Sequence, residues 1–313
     1  MKHGGESGIR THDTVSRIHA FQAGPERNFG VLVSAYLSWA DANLAPCTAY
    51  GYHKIWECYW QGDVAYLAIA DITTPLLSTL LTNMANRGLG SWQLRHNKWL
   101  ISSVFVWAIR MGRATYNPIR DAGWLKRVPR RPTPPVYTLD EVQQMLAVLD
   151  GVAALAVALA FYGGLRPAEI MGLQWQDYDG QYLHVKRTVW RNTVNEDCKT
   201  EGSRASVPVV EPLRSMLDAC KQSHGYILVN RAGNPLSLNS LNNRVIRPTL
   251  RKHGITWAGF YPARRGVASL IADTSNPLLA TGLLRHANPG VTLKHYVRAN
   301  PDSVRDALTA AVG

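Results

Sequence analysis

The stretch that most constrains this chain is Phe161–Asp177, FYGGLRPAEIMGLQWQD. Just upstream, Val152–Phe161 (VAALAVALAF) is almost continuously apolar, which predicts a buried helix. Tyr162-Gly163-Gly164 stops that helix, because glycine just past a helix end adopts positive φ without strain. Arg166 comes next, and Pro167 suits the first turn of a second helix through Ala168–Leu173. One cation is therefore expected on a tight turn between two apolar segments, with its position well fixed. Taken alone, the same pattern also describes a surface arginine capping a helix. The rest of the chain has to decide.

At 313 residues the chain has room for two domains, each burying its own core. A content of 46% hydrophobic and 18% charged residues fits an ordered soluble protein rather than a disordered one. The 34 Lys and Arg outnumber the 22 Asp and Glu, for a net charge of +12, and this favours a polyanionic partner such as nucleic acid. Cys47, Cys58, Cys198 and Cys220 are scattered, with no C-x-x-C pair, and read as reduced thiols. No run reaches the length of a membrane span and the start lacks a signal-peptide core, so the expectation is a cytoplasmic protein with no membrane partner.

Residues 1–27 are polar and Gly-rich without periodicity, and read as a disordered tail. Residues 28–113 read as four helices. These are Phe29–Asn43 with a helical apolar stripe, Thr48–Trp60 after Pro46, Leu76–Asn86 after a Thr-Thr-Pro start, and Trp92–Met111 capped by Ser91. Residues 114–136 hold Lys126, Arg127, Arg130 and Arg131 among five prolines, an extended basic linker suited to wrapping a duplex. A second domain, 137–313, opens on Thr138-x-x-Glu141, a capping box before Val142–Leu149. Tyr182–Val210 alternates like strands and predicts a three-strand sheet with turns at Asn192–Glu196 and Glu201–Ser203. The fold class expected is mainly α with a small β-sheet (α+β).

The block Tyr162, Gly164, Leu165, Arg166, Glu169, Ile170, Leu173, Trp175, Asp177 resembles the first arginine box of the tyrosine recombinase (phage integrase) family. Trp107, Ala108, Gly112, Asn117 and Pro118 look like the end of that family's four-helix core-binding domain. The resemblance implies an N-terminal core-binding domain ahead of a C-terminal catalytic domain. It also makes Arg87, Arg95, His96, Lys98 and Arg110 the expected phosphate contacts, although each alone also reads as part of a solvated helix face.

Downstream, K-T-x-x-S-x-x-x-V-P resembles the family's β-hairpin lysine, so Lys199 is the expected general acid, favoured over the mid-strand Lys186. Arg264 falls on the second catalytic arginine. Tyr261 stands where the family usually has histidine, and a phenol is a poorer base than imidazole at neutral pH. His286 closes L-L-R-H, where Arg285 replaces a common glycine of relatives. Tyr296 follows ten positions later, at the family's spacing for the nucleophile. His295 is adjacent, but neighbouring helix residues point about 100° apart, so it receives no role.

This set implies cleavage and rejoining of DNA through a 3′-phosphotyrosine, with two guanidiniums matched to the phosphate's non-bridging oxygens. No carboxylate cluster suited to Mg²⁺ and no P-loop accompanies them, so neither metal nor other cofactor is expected. The expected partners are double-stranded DNA at core or attachment sites and three further copies of the chain in a tetramer. Codons for Gly8-Ile9-Arg10-Thr11 can match the complement of a tRNA T-arm, as if the frame starts inside a tRNA gene used as attachment site; the alternative is an arbitrary basic tail or a misassigned start codon. No arm-binding domain is expected before residue 28. Pro301–Val312 reads as a small amphipathic helix, packed on its own domain or on a neighbour. Two alternatives stay open: a type IB topoisomerase-like relaxing activity, and a DNA-binding relative whose site has decayed at Tyr261 and Arg285.

Overall fold

The computed structural model describes residues 28–128, 134–191, 193–196, 206–275 and 277–285. By internal contacts the chain divides into two compact units, Met1–Pro132 and Thr133–Gly313.

In the first unit, α1 (Phe29–Asn43) begins where Asn28 Oδ1 accepts the Gly30 N–H at 2.9 Å. Its buried residues Phe29, Leu32, Val33, Tyr36, Leu37 and Ala40 recur at helical spacing and form one face. α2 (Pro46–Ile55) starts on its proline, two residues ahead of the expected Thr48, since a missing N–H costs nothing at that position. The chain continues through a π turn (Trp56–Trp60) into α3 (Gln61–Val64), burying Trp56 and Trp60. α4 (Thr74–Asn86) follows Thr73, whose hydroxyl accepts the Leu76 N–H. α5 (Ser91–Arg110) is the longest described helix. Its cap is Gly90 rather than the expected Ser91, and Gln93 Oε1 takes the Gly90 N–H at 3.0 Å. Phe29 stacks on Phe105 with centroids 5.4 Å apart and meets Trp56 edge-on, joining α1, α5 and the π turn in one core.

The second unit opens on α6 (Leu139–Val148), with both halves of the capping box made: Glu141 N–H to Thr138 Oγ1 at 3.2 Å, and Thr138 N–H to Glu141 Oε2 at 2.8 Å. α7 (Gly151–Phe161) is buried all round from Ala153 to Phe161 and forms the unit's central post. α8 (Pro167–Gly172) follows the arginine turn, and a 3₁₀ turn spans Trp175–Asp177.

The strands differ from the expected three-strand sheet. β1 (Tyr182–His184) pairs antiparallel with β4 (Ser206–Pro208), while β2 (Thr188–Trp190) pairs antiparallel with β3 (Thr193–Asn195). Between β1 and β2, Lys186 Nζ and Arg187 Nη1 reach the buried Asp177 at 3.2 and 2.5 Å, which turns the chain off the ladder. Trp190 pairs with Thr193 and Arg191 between them takes φ 55°, so Thr193–Asn195 of the expected Asn192–Glu196 turn are strand instead, while the expected Glu201–Ser203 turn lies outside the described residues.

Beyond β4 come α9 (Leu213–Ala219), α10 (Leu238–Leu241), a π turn (Asn242–Ile246), α11 (Arg247–Lys252), α12 (Phe260–Thr274) and α13 (Pro277–Leu284). α12 begins at Phe260, ahead of Tyr261 and Arg264, so both stand on its N-terminal turns. It lies close against the start of the unit. A Cβ at Gly266 would collide with the Tyr137 carbonyl and crowd the Phe161 ring at 3.0 Å. Tyr137 holds α12's beginning in three ways. It stacks on Trp257 (5.5 Å), its hydroxyl accepts the Ala258 N–H at 2.6 Å, and its own N–H donates to Pro262 O at 3.3 Å.

The described part is thus mostly helical with a small antiparallel β component. Among the described residues no helix is long and apolar enough to cross a membrane. The tail 1–27 and the Pro301–Val312 segment lie outside the described residues.

Candidate active site

The arginine turn forms as its sequence requires. α7 runs out at Phe161, and Gly164 takes φ 54°, a left-handed conformation open to glycine at little cost. Leu165 is fully buried, and Arg166 becomes the extended N-cap residue of α8 with Pro167 in its first turn. Glu169 reaches back from the third position of α8. Its Oε2 accepts the Arg166 N–H at 2.7 Å, and its Oε1 accepts Arg166 Nη1 at 2.7 Å. The arginine's backbone and side chain are therefore oriented by one carboxylate, itself 2% exposed.

α12 supplies the second cation. Arg264 is 1% exposed, with Nη1 donating to Gly164 O and Nη2 to Leu284 O. Its Nη1 also lies 3.7 Å from Glu169 Oε2. A third guanidinium comes from Arg285, just past α13, with Nη2 donating to Glu169 Oε2 at 2.5 Å. Burial pushes the Glu169 carboxyl up, but Arg285, Arg264 and Arg166 together outweigh it and hold the group below the usual carboxylate range. Three cations on one buried carboxylate leave an excess of positive charge, which suits an anionic ligand such as a phosphodiester. Arg166, with its side chain 31% exposed, is the member of the cluster open to solvent.

The structure thus brings Arg166 and Arg264 together on Glu169 across 98 positions of sequence. Tyr261 stands on the first turn of α12 and is 51% exposed. Lys186, the alternative general acid, is held at Asp177. Lys199, His286 and Tyr296 lie outside the described residues. The role of Glu169 was missed from the sequence, where it appeared only as a motif position. The signal was its spacing, since a glutamate three residues after an N-cap is the partner half of a capping box.

Of the expected DNA contacts in the first unit, Arg87, Arg95, Arg110, Lys126 and Arg127 are exposed. Lys98 is engaged differently: its Nζ donates to the Arg120 and Ala122 carbonyls, tying α5 to the segment after it. Arg130 and Arg131 lie outside the described residues. A feature missed from sequence surrounds Arg95 on α5. The His96 ring sits between Trp92 and Trp99, with centroids 3.8 and 4.7 Å away, and both tryptophans are 56% exposed. Burial between the indoles lowers the His96 pKa. Their i, i+4, i+7 spacing was legible, but it falls on the face opposite the core, where large aromatics are not expected.

A separate apolar cavity of about 800 Å³ lies among α6, α7 and α9, lined by Leu146, Leu155, Tyr162, Trp175, Met216 and Cys220 among others. None of the clustered arginines, nor Glu169, lines it. Among the described residues no three His, Cys, Asp or Glu side chains gather as a metal site would require.

The family model described as the phage integrase family matches residues 135–303. A "Tyrosine recombinase XerC-like" protein of Caldanaerobacter subterraneus subsp. tengcongensis is 22% identical over 303 residues, covering 84% of this chain and 77% of that protein. Among solved structures, the Tn1549 transposon integrase in complex with transposon right-end DNA superposes with a TM-score of 0.73. The identity is 18%, over 91% of this chain and 100% of that one. A lambda integrase tetramer bound to a Holliday junction gives 0.69 at 18% identity, over 93% and 82% of the two chains.

Proposed function

The chain belongs to the phage integrase family, the tyrosine recombinases, and on that premise we propose how it breaks and rejoins DNA. The observation that carries the reading is the pairing of Arg166 and Arg264 through the buried Glu169, in the order and setting of the family's arginine motifs. Arg166, the exposed member, grips a non-bridging oxygen of the scissile phosphate, and Arg264 completes the cradle as the substrate seats. Two fork-shaped cations neutralise charge on the pentacoordinate transition state, the work that metal ions do in many nucleases. The Tyr296 phenol oxygen attacks phosphorus, its proton passes to His286, and the bond from phosphorus to the 5′-oxygen breaks. Lys199 protonates that leaving oxygen. Tyr261 donates a hydrogen bond toward the phosphate. The product is a 3′-phosphotyrosine with a free 5′-hydroxyl, and the retained ester energy lets a second duplex's 5′-hydroxyl rejoin without a nucleotide cofactor.

The finer organisation belongs to the same proposal. Residues 28–113 act as a four-helix core-binding domain that clamps the duplex, and 114–136 wrap it as a basic linker. Residues 137–313 carry the chemistry, in the cytoplasm. Net charge, the exposed Arg87, Arg95, Arg110, Lys126 and Arg127, and the Trp92–His96–Trp99 ladder support the clamp. Four copies assemble for strand exchange, and the attachment site lies in a tRNA gene, a reading supported by the codons that Gly8–Thr11 can use. The test is a denaturing gel with a duplex taken from DNA flanking the gene and nicked near the suspected crossover. Wild type is expected to form a slow-moving adduct that Tyr296→Phe does not. DNA binding without any adduct would return the decayed-site reading.

A further inference from the structure

We infer that Arg285 is a positioning residue for the two phosphate-binding arginines, anchoring the carboxylate and the carbonyl that hold them. The inference rests on the recombinase reading above. Three observations carry it. First, Arg285 Nη2 donates to Glu169 Oε2 at 2.5 Å, and this oxygen also accepts the Arg166 N–H at 2.7 Å and lies 3.7 Å from Arg264 Nη1. Second, the Leu284 carbonyl, one residue earlier, accepts Arg264 Nη2, so fixing Arg285 also fixes an acceptor of the second arginine. Third, Arg285 has φ 52°, a conformation that favours glycine, so its side-chain contacts hold the backbone where an arginine rarely sits. Glycine would satisfy that backbone and leave Glu169 with two cations instead of three.

What sets Arg285 apart is its partner. Its side chain is 1% exposed and its Nη2 meets the Glu169 carboxylate directly, whereas the Arg166 side chain is 31% exposed. Arg285 is therefore placed to act through Glu169. The charged groups facing Glu169 are Arg166 at the turn, Arg264 from α12 and Arg285 after α13. Arg285 is one of the three cations that keep the carboxyl ionised against the cost of burial, and its Nη2 meets Oε2 at 2.5 Å. Its removal lets Glu169 take up a proton at higher pH, and a protonated Glu169 no longer fixes the guanidinium of Arg166.

The experiment uses the full chain as wild type, Arg285→Gly, Arg285→Met and Arg285→Lys, on a nicked duplex from the flanking DNA. Adduct formation is timed across the acid and neutral range, native-gel binding is measured alongside, and acid-unfolding midpoints are recorded without DNA. The expected result is unchanged DNA binding and an adduct rate lowered roughly 10- to 100-fold in Arg285→Gly and Arg285→Met. The acid limb of the rate profile should move to higher pH in both, and Arg285→Lys should restore much of it. Equal loss in every variant with an unmoved acid limb would assign Arg285 to packing and overturn the inference. So would wild-type cleavage by Arg285→Gly, or an unmoved acid-unfolding midpoint in Arg285→Met. Failure of wild type itself to form any adduct would instead strike the recombinase reading, which the unfolding midpoints do not depend on.

Discussion

At the scale of single residues, the arrangement turns on Glu169. Its carboxylate is buried and shared by three guanidiniums, so Glu169→Gln leaves an uncompensated cationic cluster in the interior. Breaking such a network by removing one partner costs about 3–5 kcal/mol, read by urea denaturation at neutral pH. The pH dependence has a definite sign. The folded pKa of Glu169 is below its ordinary value, so its stabilisation is present above the unfolded pKa and is lost as pH falls through the folded one. Wild type should therefore lose more stability than Glu169→Gln on acidification; an equal loss would show that the carboxylate is not the shared anchor. Arg166→Lys keeps the charge but not the fork, and should slow adduct formation by about 10²–10³-fold with DNA binding retained.

At the scale of elements, two helices make opposite predictions. α12 tolerates nothing at Gly266, where a methyl meets the Tyr137 carbonyl, so Gly266→Ala should destabilise the second unit by about 1–3 kcal/mol in thermal or urea unfolding. On α5, Trp92→Ala with Trp99→Ala should leave folding nearly unchanged, since both rings are half exposed, yet weaken DNA binding about tenfold or more. Unchanged affinity would remove the ladder from the interface.

Legibility from sequence followed the same division. α7, the Gly164 stop, the Pro167 start and the Thr138–Glu141 box were all readable, because each rests on local chemistry within four residues. The strand pairing was not. The pull of Asp177 on Lys186 and Arg187 acts across about ten positions, and Arg191 supplies a positive φ that its residue type does not advertise. In the site, the order of the two arginines was legible from motif spacing. Their common carboxylate was not, because sharing is a fact of tertiary structure.

At the scale of the whole molecule, the chain's net charge of +12 predicts binding dominated by released counterions. The full chain should show a steep fall of affinity with salt, and Arg95→Ala should reduce that slope by about one. An unchanged slope would place Arg95 away from the backbone. Sedimentation with and without target DNA should show four copies gathering on paired sites; a monomer that relaxes supercoils would favour the topoisomerase reading. The most direct measurement is on the adduct itself. It would be purified and digested, the nucleotide-bearing peptide would be sequenced by mass spectrometry, and the released DNA end tested for labelling by polynucleotide kinase. A nucleotide linked through a 3′-phosphate to Tyr296, with a 5′-end labelled without prior phosphatase, is the predicted result. Linkage to another residue, or a released end that already carries a 5′-phosphate, would contradict it.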